Sequence, residues 1–205
     1  MEGLRLDSGT CATARSYWPG IPCLITEWNW NGGHQFNREN DDAAETVAFF
    51  GAKLIWLFQN DMGGTMYTGS FSAGADGEEW WTPSGVLNNK AYVYALMSLQ
   101  LGLGSGSPSV MSTSASGVTA AIGARNGAGN PVMAVANYGG AQTVQFIFNH
   151  ITNGNYNLKI YRVDSGNNLA QSPVENTSVT VSNGSLQHSI GMTRYSTAGV
   201  ILTPQ

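Results

Sequence analysis

The sequence predicts an α/β segment over residues 1–103, followed by an antiparallel β-sandwich over residues 104–205. Apolar runs alternate with amphipathic helical patterns in the first part, and short alternating runs separated by turn residues fill the second. Between them lies the turn-forming stretch Gly104-Ser105-Gly106-Ser107-Pro108, where the composition changes. The order strand, helix, strand, helix in the first part predicts parallel strands joined by crossovers.

The first part contains two predicted strands. Pro22–Trp28 is an almost continuous apolar run, which is typical of a strand buried on both faces. A helix follows a polar loop, because Asp42 and Glu45 have the spacing of a capping box and apolar residues then recur at helical spacing as far as Gly51. A second apolar run, Leu54–Phe58, predicts the second strand.

A second helix and the sandwich strands follow a long loop that extends to Leu87. This helix begins at Asn88 or Asn89 and ends at the glycines Gly102 and Gly104. Turn signals, among them an Asn-Gly pair at 183–184, separate alternating runs and suggest about seven or eight strands. The runs are Val118–Ala124, Val132–Asn137, Thr143–Phe148, Tyr156–Val163, Ser178–Val181 and Gly199–Leu202.

The composition excludes several classes of function. Charged residues make up 11% of the chain and aromatic residues 10%, which disfavours intrinsic disorder. The formal net charge is −4 and the nine Lys and Arg residues form no basic block, so neither nucleic acid nor an anionic membrane is an expected partner. Cys11 and Cys23 lack the spacing of a zinc site, and they are either two thiols or a disulfide of an exported protein.

A carboxylate lies near the end of the first predicted strand. It belongs to Glu27, which Trp28 follows directly, with Trp30 two residues further on. A charge beside an apolar strand end is costly unless it has a partner or a task. Indole faces beside a carboxylate suit a sugar, whose C–H surface packs on the ring while the carboxylate acts at the anomeric carbon. A glutamate that is merely hydrogen-bonded in a turn is the alternative, and the residues alone leave both open.

The run Ile25-Thr26-Glu27-Trp28 resembles the end of strand seven in (β/α)8-barrel glycoside hydrolases of the large retaining clan. In that clan this strand end delivers the catalytic nucleophile, so the resemblance implies that Glu27 is the nucleophile and that Trp28 and Trp30 bind substrate. The Leu54–Phe58 run resembles strand eight, where an aromatic residue closes the floor of the −1 sugar subsite. That position is held here by Trp56.

The resemblance extends over nearly the whole chain from Trp18 onward. Lys90–Leu101 resembles the last barrel helix. The runs Tyr156–Asp164 and Tyr195–Thr203 resemble the β-domain that follows the barrel in xylosidase, arabinofuranosidase and some glucanase families. The implied function is retaining hydrolysis of a β-linked plant-type polysaccharide, a glucan or a xylan, and this implied chemistry needs no metal or organic cofactor. The implied parent enzyme is secreted or periplasmic, although residues 1–15 lack the apolar core of a signal peptide.

The length allows only the last two units of such a barrel, since a complete (β/α)8 barrel needs about 250 residues. Retention requires a second carboxyl group about 5 Å from the nucleophile. The clan places it after an asparagine, and no Asn-Glu pair occurs in this sequence. Asp61, Glu78 and Glu79 are candidates for the second carboxylate, with a turn residue or solvated loop charges as the alternatives. Trp80 and Trp81 adjoin the last two, and one of them is a candidate sugar platform.

Three interpretations follow. The chain is the C-terminal part of a longer hydrolase, or a truncated enzyme that recruits another carboxylate, or a non-catalytic carbohydrate-binding or accessory module. If the second carboxyl group lies at the wider inverting distance, Glu27 acts as a base instead of a nucleophile. An incomplete barrel exposes strand edges, which predicts a homo-oligomer formed by pairing of barrel strands between copies.

Overall fold

The computed structural model describes residues 12–19, 23–25, 44–60, 62–64, 87, 89–104, 108–164 and 172–205, and the structural findings concern these residues. Helix α1 covers residues 12–17, α2 is Ala44–Gln59, and α3 is Asn89–Ala95, continued by a π-helical turn at Leu96–Gln100. Within these ranges no helix has the length and hydropathy of a membrane span.

Two short parallel strands, β1 (Cys23–Ile25) and β2 (Met62–Gly64), flank helix α2 in the chain. The predicted order of strand, helix, strand and helix is therefore confirmed. The predicted position of the second strand is wrong, because Leu54–Phe58 lies inside α2 and the strand begins three residues after α2 ends.

Burial explains this error. Helix α2 is buried on several sides, and Phe50, Leu54, Ile55 and Leu57 are almost inaccessible to solvent. A helix that is buried all round has no polar stripe, so its apolar run looks the same as that of a buried strand. The helical pattern predicted as far as Gly51 thus continues to Gln59 in the structure.

The second part is an antiparallel β-sandwich of eight strands, as predicted. A six-stranded sheet has the order β3-β4-β5-β10-β7-β8, and β6 and β9 form the second sheet. The strands are β3 (Ser109–Met111), β4 (Ala120–Arg125), β5 (Pro131–Asn137), β6 (Gln142–Asn149), β7 (Gly154–Val163), β8 (Glu175–Val181), β9 (Ser185–Met192) and β10 (Ser196–Pro204).

The sequence missed β3 and β9. Strand β3 has only three residues, all exposed, and so has no core pattern. Strand β9 does have a signal, because every second residue from Leu186 to Met192 lies toward the core. The preceding Asn183 and Gly184 have φ angles of 56° and 69°, which suit a two-residue hairpin turn.

The six-stranded sheet lies between two apolar layers. One face packs on α2, α3 and the π-helical turn, and the other packs on β6 and β9. The central strand β10 shows the alternation of side chains directly. Thr197 lies toward α2, whereas Ala198, Val200 and Leu202 lie in the core between the two sheets.

Small residues let the helices approach the sheet closely. The Thr197 hydroxyl donates a hydrogen bond to the Val47 carbonyl of α2 over 2.8 Å, in a fully buried position. A Cβ atom at Gly51 would lie 2.1 Å from that hydroxyl oxygen, and one at Gly199 would lie 2.6 Å from a Leu101 methyl group. Only glycine fits at these two contacts as the backbones stand.

The helical part ends as the sequence predicts. Gly102 has a φ of 68°, and the Leu103 amide donates to the Met97 carbonyl over 3.0 Å. The Asn126 side chain donates to the Leu101 carbonyl over 3.0 Å and joins this end to the sandwich. Helices and sheet share one apolar core across the predicted boundary at residues 103 and 104, so a division into two domains there stays a prediction.

Candidate functional site

The parallel pair of strands defines the candidate site. Cys23, Leu24 and Ile25 lie opposite Met62, Gly63 and Gly64, respectively. Because the strands are parallel and in step, their carboxyl ends lie at the same edge, about 4.8 Å apart. In α/β folds the residues that follow such strand ends build the reactive face.

Most of the predicted site residues follow these two strand ends in the chain. Glu27 comes two residues after β1, and Trp28 and Trp30 come next. The pairs Glu78-Glu79 and Trp80-Trp81 come after β2. All of these lie outside the described residues. The loop residues His34 and Gln35, which the sequence alone does not assign to the site, lie outside them as well.

Asp61 differs from the other candidates in its place in the chain. It comes directly before β2, whereas the sequence-based argument placed it just after a strand. The cause is the same shift of the second strand, from Leu54–Phe58 to Met62–Gly64. Asp61 itself lies outside the described residues, but its chain position no longer supports a place at the carboxyl edge.

The predicted place of Trp56 at the end of strand eight is also wrong. Trp56 lies within helix α2, is half-buried and packs against the core between helices and sheet. The Lys53 ammonium lies 5.1 Å from the centroid of its ring, within the range of a cation–π contact. The tryptophan thus belongs to the helix–sheet core, and its predicted role as the floor of a sugar subsite loses its structural basis.

The end of α2 directs the chain into β2. The Asn60 side chain donates to the Trp56 carbonyl over 2.8 Å, which satisfies one of the last carbonyl groups of the helix. Arg15 of α1 donates to the Asn60 carbonyl over 3.3 Å. These contacts fix the start of β2 relative to α1 and α2, and with it the position of the strand pair.

Two ionisable groups outside the strand pair have structural contacts. The His188 Nε2 atom lies 2.9 Å from a Glu175 carboxylate oxygen and links β9 with β8. Burial raises the pKa of the Tyr161 hydroxyl, which lies in the core under the helices. Across the described ranges no three His, Cys, Asp or Glu side chains are placed to hold a metal ion.

A lateral groove of about 620 Å³ lies in the sandwich, between β6 and residues 112–118. Serine, threonine, glutamine and aliphatic side chains line it, with Gln142, Gln145 and Met133 among them. None of its lining residues is an acid or a base. It therefore cannot supply the proton transfers of a hydrolase.

Solved structures share this fold over almost the whole chain. A glucosidase from Croceicoccus marinus matches 97% of this chain and 50% of its own, with a TM-score of 0.71 and 13% identity. The GH39 enzyme from Xanthomonas axonopodis pv. citri matches 95% and 47%, with a TM-score of 0.67 and 15% identity. A GH30 endoxylanase from Clostridium papyrosolvens matches 94% and 44%, with a TM-score of 0.65 and 17% identity.

These matches show a fold shared with glycoside hydrolases, and the chain spans 44–50% of the length of the three. No family model matches the sequence, and no curated protein matches it. The resemblance predicted from the sequence, to the C-terminal part of such hydrolases, is thus confirmed at the level of the fold.

Proposed function

We propose that this chain carries the nucleophile of a retaining glycoside hydrolase that acts on β-linked plant-type polysaccharide, a glucan or a xylan, and that Glu27 is this nucleophile. The observation that carries the proposal is the register of the parallel pair, with Ile25 opposite Gly64. The carboxyl ends of β1 and β2 therefore lie at one edge of a parallel pair, and Glu27 follows β1 by two residues in the chain. The shared fold supports the same class of enzyme.

The chemistry requires two carboxyl groups in different states. One, ionised, attacks the anomeric carbon and forms a covalent glycosyl-enzyme intermediate. The other protonates the leaving oxygen and then removes a proton from the attacking water. Tryptophan faces, from Trp28, Trp30, Trp80 or Trp81, would hold the sugar ring beside the carboxylate. The mechanism needs no metal or organic cofactor.

The second carboxyl group is proposed to be Glu78 or Glu79, or a residue of a longer parent chain. Both glutamates follow β2 in the chain, as Glu27 follows β1, and the carboxyl ends of these two strands lie at the same edge. Asp61 precedes β2, at the amino end of that strand, which makes it the weaker candidate. Export of the parent enzyme from the cell belongs to the same proposal, because polymeric substrates lie outside it.

Intact-mass analysis after incubation with activated 2-deoxy-2-fluoro-β-glycosides tests the nucleophile. These reagents carry leaving groups that need little acid assistance, so labelling does not require the second carboxyl group. We expect one added sugar mass on the wild-type chain and complete loss of labelling in Glu27→Gln.

Glu175→Gln is the matched control, since it removes a carboxylate from the sandwich, far along the chain from β1. Its labelling should equal that of the wild type. Persistent labelling of Glu27→Gln would assign the nucleophile to another carboxylate. Failure of the glucoside, xyloside and cellobioside reagents alike would leave the chain as a binding or accessory module and overturn the proposal.

We further propose that the chain self-associates through its incomplete parallel sheet. Among the described residues, β1 and β2 pair only with each other, and unpaired strand edges are templates for pairing with another chain. Light scattering should show a mass that rises with protein concentration in the micromolar range. A constant monomer mass over that range would contradict strand pairing between copies.

A further inference from the structure

Two turns lie side by side at one end of the sandwich. The β5–β6 turn contains Tyr138, and the β9–β10 turn contains Arg194 and Tyr195. Strand pairing brings the turns together, because Asn137 lies opposite Ser196 and Gln142 opposite Met192. The chain thus presents two tyrosines and an arginine on one surface.

These three side chains form a continuous aromatic and cationic cluster. The rings of Tyr138 and Tyr195 meet edge to face, with centroids 4.9 Å apart. The Arg194 guanidinium lies 4.3 Å from the centroid of the Tyr195 ring, and its Nη2 atom donates to the Tyr195 hydroxyl. The cluster is accessible to solvent, since Tyr138 is 36% exposed and Arg194 is also exposed.

Tyr195 occupies a backbone conformation that disfavours it. Its φ is 56°, a left-handed value that glycine and asparagine adopt far more readily than a bulky side chain. The β8–β9 turn has an asparagine, Asn183, at the same φ. A bulky side chain in this sparsely populated conformation is consistent with a functional role for that side chain.

Side-chain hydrogen bonds join the two turns. The Asn137 amide donates to the carbonyls of Gly140 and Thr193, each over 2.9 Å, and so ties one turn to the other. The Thr193 hydroxyl also donates to Asp164 over 3.2 Å. Turns joined in this way keep the cluster in one arrangement before any ligand arrives, which lowers the entropy cost of binding.

We propose that Tyr138, Arg194 and Tyr195 form a second glycan-binding site, on the sandwich and separate from the carboxyl edge of β1 and β2. A tyrosine face accepts the flat C–H surface of a pyranose ring. The guanidinium supplies several N–H donors in a fixed plane, which suit the hydroxyl groups of a sugar. A Cβ atom at Gly140 would contact nothing within 4 Å, so the turn that carries Tyr138 is open to solvent at Gly140. The ligand class is a neutral β-linked oligosaccharide.

NMR titration with cellohexaose and with xylohexaose tests this site. The amides of Gly139, Gly140 and Tyr195 report local binding, and the Glu27→Gln background removes the proposed nucleophile so that the probe stays intact. We expect saturable shifts at these amides for at least one of the two probes. Tyr138→Ala and Tyr195→Asn should each raise the dissociation constant about tenfold or more.

Tyr195→Asn suits the left-handed turn and should keep the fold, which its amide spectrum verifies. Tyr17→Ala is the matched control, because it removes an exposed ring from helix α1, and its dissociation constant should not change. Absence of shifts at these amides at millimolar probe, or equal dissociation constants in all variants, would overturn the site. The reactive-sugar labelling of Glu27 is a separate readout, so either proposal can fail without the other.

Discussion

Replacing Gly51 by alanine is expected to destabilise the fold by about 2 kcal/mol, or about 4–8 °C in melting temperature. The added Cβ would lie 2.1 Å from the Thr197 hydroxyl oxygen and 2.8 Å from its methyl carbon. Rotation of Thr197 does not relieve the clash, because both branches of the side chain are too close and the hydroxyl is bonded to the Val47 carbonyl. Alanine favours the helix by about 1 kcal/mol, which is too little to offset overpacking of a fully buried contact. Thermal unfolding measures the difference.

Gly191→Ala is the control for this substitution. Gly191 lies in β9, and a Cβ atom there would meet nothing within 4 Å. The Gly191→Ala protein should therefore have nearly the same melting temperature as the wild type. In the double variant Gly51→Ala, Thr197→Ala, the loss of stability should be smaller than the sum of the losses in the two single variants. Alanine at position 197 keeps only the Cβ atom, which lies 3.0 Å from the Cβ atom added at position 51. Equal melting temperatures of Gly51→Ala and wild type would mean that α2 does not pack on β10 as described.

Asn137→Ala is expected to cost about 3 kcal/mol, because the side chain satisfies several polar groups at once in a fully buried position. Its amide donates to the carbonyls of Gly140 and Thr193, and its oxygen accepts from the Gly139 amide and the Gln142 side chain. Removing it leaves these groups without their partner and separates the two turns. Urea unfolding, followed by tryptophan fluorescence, gives the free energy of unfolding.

Asn137→Asp distinguishes the two halves of this network. The carboxylate can still accept hydrogen bonds but cannot donate to the Gly140 and Thr193 carbonyls, so near neutral pH it should stabilise no better than alanine. Asn155→Ala is the matched control, since the exposed Asn155 side chain accepts a hydrogen bond from the Thr180 hydroxyl over 3.0 Å. If Asn155→Ala lowered the free energy of unfolding as much as Asn137→Ala, burial of the side chain would not be what determines the loss of stability.

Sequence periodicity predicts the outer strands of the sandwich, such as β6 and β8, because they have a buried and an exposed side. In β9 the polar His188 occupies one of the alternate positions shared with Leu186, Ile190 and Met192, which weakens the apolar pattern. In α2 the same reasoning failed at Leu54–Phe58. This helix is buried on several sides, so its sequence has no polar face from which the helical periodicity could be recognised.

The candidate site was predictable only in part. Glu27 and its flanking tryptophans were found from a motif at a strand end, and the structure adds that β1 and β2 are parallel and in step. Trp56 was misassigned because its role depended on the position of a strand, which the apolar run did not determine. The Tyr138 and Tyr195 cluster carries no sequence signal, because strand pairing alone brings together residues that are distant in the chain.

The position of β10 at the centre of the six-stranded sheet has a consequence for biosynthesis. Ser196–Pro204 pairs with β5 on one side and β7 on the other, yet among the strands that the structure describes it comes after all the others in the chain. While the ribosome is still adding these residues, β5 and β7 lack the strand that joins them, and the apolar faces of the sheet stay uncovered. Long-range pairing of this kind is slow and exposes the nascent chain to aggregation. The order of synthesis thus places the joining strand last, and the sandwich can close only when translation has reached residue 204.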